Sequence, residues 1–250
     1  MTVEERKQER ILAWEGCRNV RDLGGYPTED GRETQWGAVI RADNLSTLTE
    51  RGQADLVNFG VHTIIDLRTA EELQRYPNPF AQPGEHGITY TNISFVDPAA
   101  GPKADFTSLA NDYKDMLDRF QHRVVEVMKT IADAPPGGVL VHCMGGKDRT
   151  GLISALLLDL VGVPRDVIGA DYALTAECLK EVDEEYLEHG PGDRAERERN
   201  LALYSPRAEV MQDVLTHLDQ RYGGTEAYLR HGGVTVEEIG RLRRRLVPEE

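Results

Sequence analysis

The sequence predicts an α/β fold, with a mostly parallel central sheet of about four to five strands flanked by helices. Three observations carry this expectation. Short, β-branched runs recur through the first 142 residues, segments with helical spacing and caps separate them, and the last hundred residues read almost wholly as helix. Strands that alternate with helices pair in parallel, because each helical crossover covers a face of the sheet.

Taken in order, "WGAVIRA" from Trp36 reads as the first strand. "TERGQADLVNFG" follows with apolar residues at helical spacing, and Gly60 stops it. "HTIIDL" from His62 is the second strand, and "TAEELQRY" is a helix in which Thr69 caps and Glu72 occupies the capping-box position. "ITYTNISF" from Ile88 is the third strand. A long helical stretch then runs from Asp105 to Ala134 and is closed by Pro135 and Pro136. "GVLVHC" from Gly138 is the fourth strand, followed by an apolar helix, "LISALLLDLVGV". Beyond it, "HGPGDR", "YSP" and "HGG" punctuate a helical remainder. With no internal repeat or low-complexity segment, the chain reads as one domain over 1–250. Within it, residues 1–35 form an N-terminal bracing segment and residues 148–250 a mainly helical C-terminal part.

Two hundred and fifty residues suffice for a full hydrophobic core. The net charge of −14 argues against a nucleic-acid or anionic-membrane binder, which needs a basic face, but leaves room for one locally basic pocket. Three widely spaced cysteines, Cys17, Cys143 and Cys178, fit no zinc motif and suit a reducing compartment. The N-terminal "MTVEERKQERILAWEG" is charged, unlike a signal peptide, and the longest apolar stretch is too short to span a membrane. The expectation is a cytoplasmic protein without stable membrane insertion, although export without a signal stays open. Oligomeric state is not legible, and neither a metal nor a cofactor is called for.

The chemistry concentrates in "VHCMGGKDRTGL", residues 141 to 152. A polar, glycine-bearing loop at the carboxyl end of a strand and the start of a helix is where such sheets place their sites. Helix N-termini offer unpaired N–H groups and partial positive charge. Gly145 and Gly146 let successive amides, from Met144 through Gly151, converge on one anion. Arg149 adds a planar clamp for two oxygens, and Lys147 a second cation. The same field favours a thiolate at Cys143, to which Thr150 could donate, while His142 could fix the loop through its ring nitrogens. A nucleophile beneath a phosphate cradle is the constellation for covalent phosphoryl transfer. "GGKDRT" lacks the glycine spacing and the Ser or Thr of a nucleotide P-loop.

These residues carry a resemblance. "HCMGGKDRTG" resembles the signature loop of cysteine-dependent phosphatases, and more narrowly that of the bacterial protein tyrosine/serine phosphatases. "NVRDLGG" at Asn19 is similar to that family's N-terminal box, with Val20 in place of Phe, and "VIRADNL" to its strand end, with Ala42 in a Ser position. "IIDLRTAEE", "ADYALT" and "RYGGTEAYLRHGG" follow in the family's order. The resemblance covers nearly the whole chain and implies a protein tyrosine phosphatase-like fold and a metal-independent phosphatase of phosphotyrosine. Phosphoserine/threonine and phosphoinositide are side substrates in this reading.

In the implied mechanism Cys143 attacks phosphorus, Arg149 and the loop amides hold the oxygens, and water hydrolyses the phosphocysteine. The family's loop acid maps to Asp148, ahead of its rival Asp97 in "FVDP". An acid beside a phosphate dianion keeps its proton more readily. Asp66 and Arg68 are expected on the rim of the substrate site, with Arg41 and Arg21 placed there by resemblance alone. Residues from Pro98 to Met116 are expected to form a wall or lid. For "NVRDLGG", bracing of the loop is favoured over substrate contact. Two alternatives stand beside the phosphatase: a phosphate-binding module without turnover, and another Cys-loop anion enzyme such as an arsenate reductase or sulfurtransferase. The charged run from Lys180 to Asn200 reads first as solvated helix and loop.

Overall fold

A computed structural model describes residues 9–82, 87–96 and 107–248. Its centre is a five-stranded sheet of β1 (Arg21–Asp22), β2 (Val39–Ala42), β3 (Val61–Asp66), β4 (Thr89–Asn92) and β5 (Gly138–His142), in the order β1-β2-β5-β3-β4. The four strands expected from sequence pair in parallel, Ile40 with Leu140, Ile64 with Leu140 and Ile64 with Tyr90. The two-residue β1 adds antiparallel to β2, Arg21 opposite Arg41. A pair of charged residues carries no strand signal, so this edge depends on what Arg21 contacts elsewhere.

Alternation along the strands divides the core. Val39, Ile65, Val139 and Val141 face a large cluster built with the helices of the C-terminal half. Ile40, Ile64 and Leu140 face a smaller one closed by Trp14, Leu45, Leu48, Leu56 and Phe80. The smaller face carries α1 (Glu50–Phe59), which Thr49 caps through Gly52 N–H and which Gly60 ends at φ 94°. α2 (Ala70–Arg75) closes its first turn with the expected capping box of Thr69 and Glu72.

The long helix expected before β5 is two, α3 (Leu109–Arg119) and α4 (Gln121–Asp133), hinged at buried Phe120. The turn lets each helix bury its own apolar stripe against a different partner, and helical spacing alone does not register such a change of direction. α5 (Asp148–Leu160) buries nearly every residue, as its all-round apolar sequence requires, and runs from the loop after β5 through the middle of the large cluster. Then come α6 (Arg165–Ala173), α7 (Thr175–Cys178), α8 (Lys180–His189), α9 (Arg194–Leu203), α10 (Ala208–Tyr222), α11 (Thr225–His231) and α12 (Val236–Leu246). α3 packs on α10, and α4 on α12. α8 and α9 bury no residue fully, as the charged run predicts. No helix among the described residues is long and apolar enough to cross a membrane.

Candidate active site

β5 lies at the centre of the sheet, so the loop that leaves it is surrounded by the carboxyl ends of its neighbours. Cys143, the first residue off the strand, is buried at 2% exposure. His142 beneath it is fully buried. Its Nε2 lies 3.1 Å from an Asp66 carboxylate oxygen and 3.0 Å from the Asn78 amide nitrogen, and its Nδ1 lies 3.3 Å from the Cys143 carbonyl. The imidazole thus ties the loop to the strand, as its position suggested.

The carbonyls that follow are also held. Asn44 N–H donates to Met144 O at 3.0 Å, Asn19 Nδ2 to Gly145 O at 2.9 Å, and Arg41 Nη2 to Gly146 O at 2.8 Å. The peptides here are trans, so each tethered carbonyl turns the next residue's N–H the opposite way. Four consecutive carbonyls, from Cys143 to Gly146, therefore aim the amides of Met144, Gly145, Gly146 and Lys147 away from the scaffold. Among the described residues, no backbone carbonyl accepts from them. Gly146 adopts φ 62°, and a Cβ there would lie 2.7 Å from Ala42 O, so no other residue fits this turn. Gly151 N–H bonds Lys147 O and starts the regular helix.

Arg149 is held by Glu72, with Nη1 donating to one carboxylate oxygen at 2.6 Å and Nη2 to the other at 2.7 Å; Nη1 also reaches Leu67 O at 3.4 Å. A guanidinium has five N–H donors. These bonds engage both protons of Nη1 and one of Nη2, leaving Nε–H and the second Nη2–H. Those two donors lie on one edge of the plane, the fork that two phosphate oxygens require. Glu72 therefore fixes the guanidinium plane without occupying that edge. Burial pushes the Glu72 carboxyl up, but the bonds from Arg149 and Thr69 outweigh it and lower its pKa. Burial likewise opposes the Arg149 charge, and Glu72 with the Cys143 and Asp148 charges more than restores it.

Asp148 opens α5 with its side chain 42% exposed and accepts a hydrogen bond from the Tyr113 hydroxyl, which in turn lies 2.8 Å from that of Tyr172. Burial first, then the Asp148 charge, raise the Tyr113 pKa well above the ordinary phenol value, so the phenol stays protonated as a donor. Lys147 Nζ is 3.6 Å from Asp148 Oδ1 and donates to Tyr204 O at 3.1 Å. Thr150 is buried, and its hydroxyl has no partner among the described residues, so the expected bond to the Cys143 sulfur is not made here. Asp97 and residues 98–106 of the expected wall lie outside the described residues.

Asp66 and Arg68 do not line the rim. Both are fully buried, with Arg68 Nε 2.9 Å and Nη2 2.6 Å from the Asp66 carboxylate and Arg68 Nη1 2.6 Å from Asn44 Oδ1. Asp66 also serves His142 and Tyr90, so the pair belongs to the floor under the loop. Burial raises the Asp66 pKa, but the His142 and Arg68 interactions prevail and lower it.

Arg21 and Arg41 are buried as well. Asp171 sits between them, 3.1 Å from Arg21 Nε and 2.5 Å from Arg41 Nη1, with Tyr26 donating at 2.9 Å. The "NVRDLGG" box thus braces the loop, Asn19 directly and Arg21 through Asp171 and Arg41. Glu72 as the keeper of Arg149, and Tyr113 as the partner of Asp148, were missed. Glu72 carried only a capping signal, and Tyr113 no signal beyond helical spacing.

This geometry accords with comparison to known proteins. The model of the tyrosine phosphatase family matches residues 12–248. A tyrosine-protein phosphatase of Nostoc commune is 36% identical over 225 residues, spanning 84% of this chain and 74% of its own. The triple specificity protein phosphatase PtpB of Mycobacterium tuberculosis is 27% identical over 91% of this chain and 96% of its own. By the family match over residues 12–248 and the identity to the Nostoc enzyme, on a five-stranded α/β sheet, the chain belongs to the tyrosine phosphatase family and is a protein-tyrosine phosphatase.

Proposed function

We propose that the protein hydrolyses phosphotyrosine, and with it phosphoserine/threonine or phosphoinositide monoesters, through a phosphocysteine on Cys143 and without a metal. The observation that carries this reading is the row of tethered carbonyls that turns the loop amides away from the scaffold beside a buried cysteine, an arrangement suited to holding an anion. The Cys143 thiolate forms the S–P bond as the P–O bond to the leaving group breaks. Asp148 gives its proton to that oxygen, while the amides and the free edge of Arg149 hold the equatorial oxygens. Water then attacks phosphorus, Asp148 takes back a proton, and inorganic phosphate leaves with the thiolate restored.

Breadth of substrate is suggested by the Asp148 side chain, 42% exposed beside Lys147, and by the name of the mycobacterial relative, which refers to three specificities. The same reading keeps one phosphatase domain over 1–250 and a cytoplasmic setting. It ranks the phosphate reader, arsenate reductase and sulfurtransferase lower, because the residues proposed as nucleophile, clamp and acid, Cys143, Arg149 and Asp148, are all present in a chain of the tyrosine phosphatase family. The test is hydrolysis of p-nitrophenyl phosphate in excess chelator, wild type beside Cys143→Ser. Turnover should survive chelation and vanish in the variant, which should still bind phosphate. Wild-type binding without turnover on any phosphate ester would make the protein a reader instead.

A further inference from the structure

Beside the loop after β5 lies an open cavity of about 430 Å³, lined in part by Gly145, Lys147 and Asp148 but not by Arg149. Lys147 and Asp148 form one wall, and Leu179, Asp183, Leu201 and Tyr204 from the α7–α9 region form the others. Resting on the phosphotyrosine reading, we infer that this cavity receives a lysine or arginine side chain one or two residues from the phosphotyrosine of a protein substrate, with Asp183 as its counter-charge.

The walls suit such a side chain in two parts. Leu179, Leu201 and the Tyr204 ring offer apolar surface for an aliphatic stem, as long cationic side chains prefer. Also lining the cavity, the Asp183 carboxylate has no hydrogen-bond or ion-pair partner of its own among the described residues. Burial raises its pKa, and only the charge of Lys147 acts against that. An incoming cation would supply what is missing.

Lys147 does not fill this role, because its amine is held at the loop end by Tyr204 O at 3.1 Å and Asp148 at 3.6 Å. The helix carrying Asp183 adds long-range attraction, since KEVDEEYLEH holds five carboxylates against one lysine. An anionic or purely apolar occupant would leave Asp183 unpaired. Proximity limits the spacing: the loop itself is one wall, and an extended peptide advances only about 3.3–3.6 Å per residue.

The experiment uses phosphotyrosine peptides that differ at single positions, carrying lysine, norleucine or glutamate at the two sites on either side of the phosphotyrosine. For each, kcat/KM is referred to that for p-nitrophenyl phosphate in the same preparation. Lysine should exceed norleucine roughly fivefold at one or more positions, the upper end for a half-exposed ion pair, and glutamate should fall below both. In Asp183→Asn the lysine-to-norleucine ratio should fall to about one. Ala202→Trp, which fills the cavity, should depress the lysine and norleucine peptides together relative to the aryl phosphate. A ratio within twofold of one at every position in the wild type, or one that persists in Asp183→Asn, would overturn the inference while aryl phosphate turnover left the phosphatase reading intact. Failure on every phosphate ester would instead sink the phosphatase reading, and this inference with it.

Discussion

Glu72→Gln separates orientation of the Arg149 clamp from its charge. Glu72 accepts from both terminal nitrogens of Arg149, at 2.6 and 2.7 Å, with side chains only 26% and 14% exposed. Glutamine can accept one of these bonds, but its amide nitrogen would face the other N–H, so one charge-assisted bond is lost. Such bonds contribute about 1.5–3 kcal/mol when sheltered, and partial exposure lowers this to about 1–2 kcal/mol. A drop in Tm of about 3–6 °C follows for a domain of this size.

The larger effect should be on kcat, because the Nε and Nη2 edge is no longer locked toward the loop. A loss of about ten- to a hundredfold is expected, short of the hundred- to thousandfold typical when a transition-state donor is removed outright. KM for an aryl phosphate should change less. There is a pH signature as well. The folded Glu72 pKa is lowered, so its stabilisation is fully present above the ordinary value of 4.5 and is lost as pH falls through the folded value. The variant should therefore show a shallower loss of Tm in acid. Steady-state kinetics and thermal melts between pH 3 and 7 decide the matter. If Glu72→Gln kept kcat within twofold of wild type and bound phosphate more tightly, Glu72 would be a competitor for Arg149, and the orientation argument would fail.

Two further outcomes follow from the site. Asp148→Asn should slow alkyl phosphates and unactivated phenyl phosphate far more than p-nitrophenyl phosphate, whose leaving group needs no proton; equal losses on all three would remove Asp148 as the acid. Asp171→Asn strips the countercharge from buried Arg21 and Arg41 and should cost about 3–5 kcal/mol by denaturant titration. Because Arg41 also holds Gly146 O, phosphate binding should weaken in the fraction that stays folded.

Much of the architecture was legible because its causes are local. The parallel strands follow from β-branched runs, the end of α1 from Gly60, and the start of α2 from the Thr69–Glu72 box. Where a cause was not local, the reading failed. Phe120 turns one expected helix into two because α3 and α4 pack on different partners. Asp66 and Arg68 looked like rim residues because they end a strand beside the loop. They are buried because His142, Tyr90 and Asn44 complete their hydrogen bonds from below.

The sequence by itself determined the fold class and the loop between β5 and α5, and it nominated Cys143, Arg149 and Asp148 within that loop as nucleophile, clamp and acid. The three nominated residues sit within one short segment, so local spacing and the family resemblance were enough to single them out. Tertiary structure decided how that segment is held and what surrounds it. Asn19 reaches Gly145, Glu72 reaches Arg149 and Tyr113 reaches Asp148 across 126, 77 and 35 residues of chain. Periodicity and capping act over a few residues, whereas a partner that far away is selected only when the sheet order and helix packing bring the two side chains to the same place.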